Sequence, residues 1–280
     1  MILNPAARSE KARATWERIG AFPNAKVELT AAPGDARGLA AWGVEKGFRI
    51  VVAAGGDGTI NEVVNGLAGS EVTLGILPIG TMNVFASELG LPNDLAAAWE
   101  VVTAGVVRKI DLARANEQYF VQLAGVGLDA QVVEETSWAS KKNFGPLSYL
   151  FSAAQIAARR PPQLIVEADD LAREGSFVLI GNGRYYGARI KVFQDALIDD
   201  GLLDVLIFKN LGYLDIARYL AGIAMGRHTQ LSDVEYFQTR KVRVHSAEDV
   251  PVEVDGELAG HLPVTFRISS RKLRVLAAPE

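Results

Sequence analysis

Residues 50–64 constrain the backbone more tightly than any other stretch of the chain. They read Ile50-Val51-Val52-Ala53-Ala54-Gly55-Gly56-Asp57-Gly58-Thr59-Ile60-Asn61-Glu62-Val63-Val64. The short apolar run at 50–54, rich in β-branched residues, predicts a strand covered on both faces. Gly55, Gly56 and Gly58 follow, and glycine lets a backbone take positive φ and approach a ligand without Cβ clashes. Thr59 and Glu62 spell a T-x-x-E capping box, which predicts a helix over 60–67 whose free N–H groups face the turn. A helix N-terminus bordered by glycines attracts anions, because unpaired donors and the helix dipole converge there. A phosphate beside Asp57 is the reading this favours, although a plain strand-to-helix turn uses the same glycines.

A second loop repeats the logic. Residues 74–86 read Leu74-Gly75-Ile76-Leu77-Pro78-Ile79-Gly80-Thr81-Met82-Asn83-Val84-Phe85-Ala86, an apolar strand followed by Gly-Thr-x-Asn and a helix start. Two polar turns at the ends of successive strands point to one crevice at the carboxyl edge of a parallel sheet.

With these two loops in hand, the order of shorter motifs becomes informative. G-G-D-G-T-x-N-E at 55–62 and G-T-x-N at 80–83 are accompanied by Asn4-Pro5, by Thr30 ahead of Gly34-Asp35-Ala36, and by Gly181-Asn182-Gly183 through Gly187. Asp199-Asp200-Gly201-Leu202-Leu203-Asp204-Val205 and Val254-Asp255-Gly256-Glu257 complete the set. In this order they resemble the diacylglycerol kinase catalytic-domain family, which includes bacterial lipid kinases and sphingosine kinases, along almost the whole chain. NAD kinases and phosphofructokinases carry related G-G-D-G turns, so the ordered set is the specific signal. The resemblance implies an α/β fold: an N-terminal α/β domain with a parallel sheet over residues 1–110, and a C-terminal antiparallel β-sandwich over 111–280. The first would bind ATP through Asn4, Pro5, Thr30, Gly55, Gly56, Asp57, Gly58, Thr59, Asn61, Glu62, Gly80, Thr81 and Asn83. The second would supply the lipid-acceptor site and a catalytic base at Glu257.

Composition narrows the classes. At 280 residues the chain can hold two domains and a substantial core. A net charge of −4 and a pI near 5.6 argue against a nucleic-acid protein, whose binding face needs a basic excess. The absence of cysteine removes disulfides and thiolate metal sites and fits a reducing cytoplasm. Met1-Ile2-Leu3 runs directly into Asn4-Pro5 with no secretory leader pattern. No apolar run approaches the roughly 20 residues of a membrane span, so a lipid substrate would be met at the inner-membrane surface from the cytoplasm. Monomer and homodimer both stay open.

Up to about residue 104 the pattern alternates. Strands are expected at 1–3, 26–29, 50–54 and 73–77, and helices at 9–20, 35–46, 60–67 and 93–104, the last capped by Gly105. The first strand is short, which points to a gene start further upstream. After Gly105 short strands dominate. Residues 109–113 and 119–124 flank Asn116-Glu117 as a hairpin, and further strands are expected at 163–168, 177–180, 204–208, 242–245, 250–254 and 264–268. Helices interrupt them at 148–159 and 214–225. Val264, Phe266 and Ile268 alternate with Thr265 and Arg267, one dry face against one wet face. The boundary near 110 has no Pro/Gly linker, so the two parts should pack around a shared cleft.

Phosphoryl transfer asks the protein for positioning, for Mg²⁺ to neutralise charge, and for a group that receives the acceptor's proton. An ionised Asp57 only accepts hydrogen bonds, so it suits Mg²⁺ or the acceptor hydroxyl, unless it merely caps the following helix. Asp255-Gly256 is a hairpin-turn signal in its own right, and Glu257 is then the residue after the turn; the base role comes from the resemblance. The Asp199–Asp204 stretch suits either a turn or a hard cation. The resemblance implies Mg²⁺ held by Asp200 with the carbonyls of Leu197 and Leu202. His228, His245 and His261 lack metal-ligand spacing. Lys141-Lys142 and Arg159-Arg160 flank Trp138, Phe144, Leu147, Tyr149 and Phe151, a pattern open to membrane docking or to an amphipathic core helix.

Two departures stand out. Many bacterial relatives carry an acid where this chain has Val84, and the turn Asn4-Pro5-Ala6-Ala7-Arg8 lacks the usual serine-glycine ending. The expectation is an ATP-dependent lipid kinase. An NAD kinase-like phosphotransferase and a nucleotide-binding regulatory protein without catalysis are the alternatives, Val84 favouring the latter.

Overall fold

The computed structural model describes residues 1–5, 25–128, 130–131, 161–187 and 190–278. The expected helices over 9–20 and 148–159, the turn residues Ala6–Arg8 and the aromatic and basic stretch 138–160 lie outside the described residues.

The chain opens with β1 (Ile2–Leu3), β2 (Glu28–Leu29), α1 (Asp35–Glu45), β3 (Ile50–Gly55), α2 (Asp57–Leu67), β4 (Thr73–Pro78), α3 (Val84–Glu88) and α4 (Leu95–Ala104). The four strands are parallel, in the order β2-β1-β3-β4. Their unbroken apolar character has a direct cause. Val51 and Ala53 pack under Ala40 of α1 and Ile60, Val63 and Val64 of α2, while Val52 and Ala54 point the other way, onto Leu95, Ala98 and Val102 of α4. Each of the buried valine, leucine and isoleucine side chains contributes about 1.5–3 kcal/mol. Helices α1 and α2 cross in contact because Gly66 has no side chain; a Cβ there would sit 2.4 Å from the Arg37 carbonyl. Asp94 begins α4 by accepting from the Ala96 and Ala97 N–H groups, and Gly105 is its C-cap.

The remaining strands are β5 (Val106–Ala115), β6 (Gln118–Phe120), β7 (Leu123–Val126), β8 (Leu164–Ala168), β9 (Leu171–Gly175), β10 (Phe177–Gly181), β11 (Tyr185–Tyr186), β12 (Ile190–Lys191), β13 (Leu203–Phe208), β14 (Val234–Thr239), β15 (Lys241–His245), β16 (Pro251–Val254), β17 (Glu257–His261) and β18 (Val264–Ala277), with α5 (Tyr213–Ala224) after β13. One sheet, β14-β13-β10-β7-β16-β17, is wholly antiparallel. It packs on β5, β8, β15 and β18 through a core containing Phe120, Val166, Val205, Val252 and Phe266.

The expected α/β architecture with an antiparallel sandwich is present, with one difference in how its parts join. The second layer of the sandwich is not a separate sheet. It continues the parallel one, because β18 lies parallel to β4 at one end and antiparallel to β5 and β15. The alternation at 264–268 marks only the start of this strand, which runs for 14 residues. The strand expected over 119–124 is divided between β6 and β7.

Candidate active site

The sequence-predicted nucleotide residues gather at the carboxyl edge of the parallel strands. Asn4 follows β1, Thr30 follows β2, Gly55 ends β3, and Gly80 to Asn83 follow β4. Asn4 donates its backbone N–H to the Ala54 carbonyl and its side-chain amide to Thr59 Oγ1, 2.9 Å away. Thr30 is buried and donates its N–H to the Leu3 carbonyl; Pro5 and Thr81 are exposed. The two glycine turns touch backbone to backbone. A Cβ on Gly80 would lie 2.4 Å from the Gly56 Cα, so no side chain fits between them. Gly55 is equally constrained, with the Thr59 Cβ 2.4 Å from where its own would be.

The capping box does not form. Helix α2 starts at Asp57, three residues before the expected position, with Gly56 as an extended N-cap. Thr59 is engaged by Asn4, and the Glu62 carboxylate accepts from the N–H groups of Gly34 (2.9 Å) and Ala36 (3.0 Å) at the start of α1. Glu62 therefore holds the neighbouring helix, where a carboxylate also meets the positive end of the dipole. Asp57 does not cap its own helix either. Its Oδ1 accepts from the Phe85 N–H at the start of α3, tying the first loop to the second. Burial raises the Asp57 pKa above the ordinary carboxylate value, opposed by N–H donors of α3 and reinforced by the negative charge of Asp255.

Asn83, at φ 50°, donates its side-chain amide to the carbonyls of Pro78 (3.3 Å) and Gly80 (3.0 Å) and so shapes its own turn. Asparagine tolerates this left-handed geometry better than most residues. Met82 is exposed and Val84 half-buried beside it.

Across the cleft, β16 and β17 form the expected Asp-Gly hairpin. Asp255 and Gly256 both have positive φ, and Val254 pairs with Glu257, the signature of a two-residue primed turn. Asp255 accepts four hydrogen bonds: from Asn61 Nδ2 (2.7 Å) and Val121 N–H (3.0 Å) on one oxygen, and from Gln122 N–H (3.0 Å) and Leu123 N–H (3.1 Å) on the other. Burial pushes its pKa up while these donors favour the ionised form. Asn61, in α2, is thereby latched to the sandwich. The latch swings Glu257 over the first loop: a Cβ on Gly58 would lie 2.9 Å from Glu257 Oε1. Asp57, Gly58 and Glu257 thus share one small volume, although 200 residues of sequence separate the two carboxylates.

Comparison with known proteins shows the family. The diacylglycerol kinase catalytic domain matches residues 1–115, and the YegS C-terminal NAD kinase beta sandwich-like domain matches residues 122–277. A diacylglycerol kinase of Bacillus subtilis (strain 168) is 33% identical over 260 residues, covering 91% of this chain and 86% of the relative. The chain belongs to the diacylglycerol kinase family. A second member, the diacylglycerol kinase of Staphylococcus saprophyticus, is 33% identical over 238 residues, which is 83% of this chain and 78% of that one. The crystal structure of a diacylglycerol kinase from Bacillus anthracis str. Sterne superposes with a TM-score of 0.81 at 26% identity, covering 99% of this chain and 96% of that one.

The family's implied cation loop is the segment 197–202, tied to β5 by the Gly201 N–H on Asp111. Asp200 Oδ1 accepts from the Leu202 N–H (2.9 Å) in a local turn, and both Asp200 and Leu197 are exposed. Partial desolvation of its carboxyl raises the Asp200 pKa, opposed by the Leu202 N–H and reinforced by the nearby Asp111 and Asp199. A loop of hard oxygens in a negative field fits a divalent cation. Among the described residues no three His, Cys, Asp or Glu side chains cluster to hold a metal, so such an ion would depend on carbonyls. Part of the negative charge is already answered: Lys272 Nζ lies 3.0 Å from Asp111 Oδ1 and donates to the Asp199 carbonyl.

Three site-forming residues escaped the sequence reading. Glu88, buried at the end of α3, accepts from Gln122 Nε2 and from the backbone and Nε of Arg184, which fastens the second loop to the segment after β10. For Glu88 the only signal was a polar side chain at a helix position that otherwise reads as apolar; Gln122 and Arg184 lie between strands and carried none. Asn182 of the N-G-x-x-x-G segment is a buried tie, donating to the carbonyls of Val121 and Asp111.

Proposed function

We propose that the protein transfers the γ-phosphoryl group of ATP to a hydroxyl of a diacylglycerol-like or sphingoid lipid. The observation that carries this reading is the approach of Glu257 to Gly58, which sets a proton acceptor over a phosphate-type loop. The first turn of α2 and the Gly80–Asn83 loop offer backbone donors for the phosphates. Mg²⁺ held at Asp57 would neutralise charge on the transferring group. Glu257 takes the proton of the lipid hydroxyl as its oxygen bonds to the γ-phosphorus; the bond to the β–γ bridging oxygen breaks, and ADP leaves. A second divalent ion, at Asp200 with the Leu197 and Leu202 carbonyls, would brace the 197–202 loop. On this reading residues 1–110 serve the nucleotide, and 111–280 supply the base and the acceptor site. The enzyme works in the cytoplasm, where its nucleotide is, on a lipid of the inner membrane.

The test is turnover of labelled ATP against a panel of lipids and NAD. Glu257→Gln should lower turnover by about 10² or more with little change in ATP affinity, as for a lost general base. Loss of ATP binding at an unchanged turnover number would put Glu257 at the nucleotide instead. Phosphorylation of NAD alone would replace the lipid reading with the NAD kinase one.

A further inference from the structure

Helix α5 carries apolar residues on the side that faces solvent. Of its 12 residues only Asp215 and Arg218 are charged, and they bond to each other. Tyr219 and Gly222 are buried, with Ile216 and Ile223 packed on the same core. The opposite side presents Tyr213, Leu214, Ala217, Leu220 and Ala221, and Met225 follows at the C-cap; Leu214 is 87% and Met225 65% exposed. Their spacing follows the helical repeat, so they form one stripe about 18 Å long. A solvent-facing helix normally turns polar residues outward. An apolar stripe of this kind marks a contact surface.

We propose that this face docks on an anionic lipid bilayer, with α5 lying in the headgroup plane. The proposal rests on the lipid-acceptor reading above. Charge selects the occupant. Lys191 and Arg227, at the C-terminal end of the stripe, are exposed and make no ion pair among the described residues. The carboxylates beside the stripe, Asp215 and Asp233, are both held by Arg218. In a second copy docked face to face, the carboxylates beside the stripe are already held by Arg218. Anionic headgroups would receive Lys191 and Arg227, as they do the cations of basic interfacial helices.

The fold joins this face to the cleft. The β11–β12 hairpin rests one strand, Ile190–Lys191, against α5. Gly187, after its other strand, approaches Met82 of the second loop, with 4.0 Å from a Cβ there to Met82 Cε. Arg184, just before β11, is fixed to Glu88 of α3. A bilayer touching α5 and the exposed Ile190 would thus lie on the Met82 side of the second loop, and a lipid hydroxyl could reach that loop without leaving the membrane.

The experiment compares wild type, Leu214→Glu/Met225→Glu and Lys191→Ala/Arg227→Ala. Vesicle co-sedimentation uses phosphatidylglycerol–phosphatidylcholine or phosphatidylcholine alone, and turnover is measured on dioleoylglycerol in vesicles and on water-dispersed dihexanoylglycerol. Wild type should bind the anionic vesicles. The glutamate variant should bind at least tenfold less and lose at least tenfold in turnover on vesicles, while staying within twofold on dihexanoylglycerol. The alanine variant should lose only the preference for phosphatidylglycerol. Vesicle binding unchanged in both variants would overturn the proposal, as would a wild-type dimer in sedimentation velocity that the glutamate variant turns into a monomer. Binding is read without turnover. A wild type inert on both acceptors that still binds vesicles through these residues would refute the lipid-kinase reading and leave the docking face standing.

Discussion

Asp255→Asn tests the latch that brings the two halves of the cleft together. The aspartate accepts four hydrogen bonds, two on each oxygen, from Asn61 Nδ2 and three successive backbone N–H groups. Asparagine keeps one acceptor oxygen and turns an NH₂ toward the other pair of donors. At about 1.5–3 kcal/mol for a hydrogen bond to a charged group, losing two costs about 3–6 kcal/mol. That is a large part of the roughly 5–15 kcal/mol by which domains are stable. Urea unfolding followed by circular dichroism should show the loss as a lower midpoint. Turnover should fall further than the folded fraction explains, since Glu257 loses the support that holds it over Gly58. An asparagine variant within about 1 kcal/mol of wild type, less than one such bond is worth, would refute the latch.

Asp57→Asn should nearly abolish phosphoryl transfer in a folded protein, because the amide oxygen can still accept from Phe85 N–H while the charge that suits Mg²⁺ is gone; turnover close to wild type would exclude that role. Burial raises the Asp57 pKa, so its ionised form is lost as pH falls through a value above the ordinary carboxylate range. The acid limb of wild-type turnover should therefore lie higher than an exposed aspartate would set, and rising Mg²⁺ should move it downward. Asp200→Ala should lower the melting temperature and blunt its rise with Mg²⁺, since an ion bound only by the native state stabilises by mass action; equal Mg²⁺ shifts in mutant and wild type would leave no cation at that loop. Val84→Asp should reorder the lipid acceptors while leaving ATP affinity within about threefold, under 1 kcal/mol; a wild type inert on every lipid whose mutant gains turnover would favour a regulatory protein.

What could be read from the sequence was local. Both glycine loops were legible because a strand, a turn and a helix start are adjacent in the chain, and Asp255-Gly256 fixed a two-residue hairpin on its own. The capping box failed for the complementary reason. Thr59 and Glu62 have the right spacing, but spacing does not say which helix start a carboxylate faces, and Glu62 faces α1. Asp255 could be read as a turn residue but not as a latch, since its partners lie 132 to 194 residues away. In β18 the polar run Ser269-Ser270-Arg271-Lys272 hid a continuing strand, where a shift in pairing between Ile268 and Lys272 interrupts the alternation.

The position of β18 also bears on how the chain folds as it is made. This strand follows every other described strand in sequence, yet it sits beside β4 in the interior of the sheet. Until residues 264–277 leave the ribosome, β4 has an unpaired edge and β5 lacks its long partner. An edge of that kind is open to pairing with another chain. The parallel-sheet half, though synthesised first, is therefore completed last, when β18 pairs with β4 and β5.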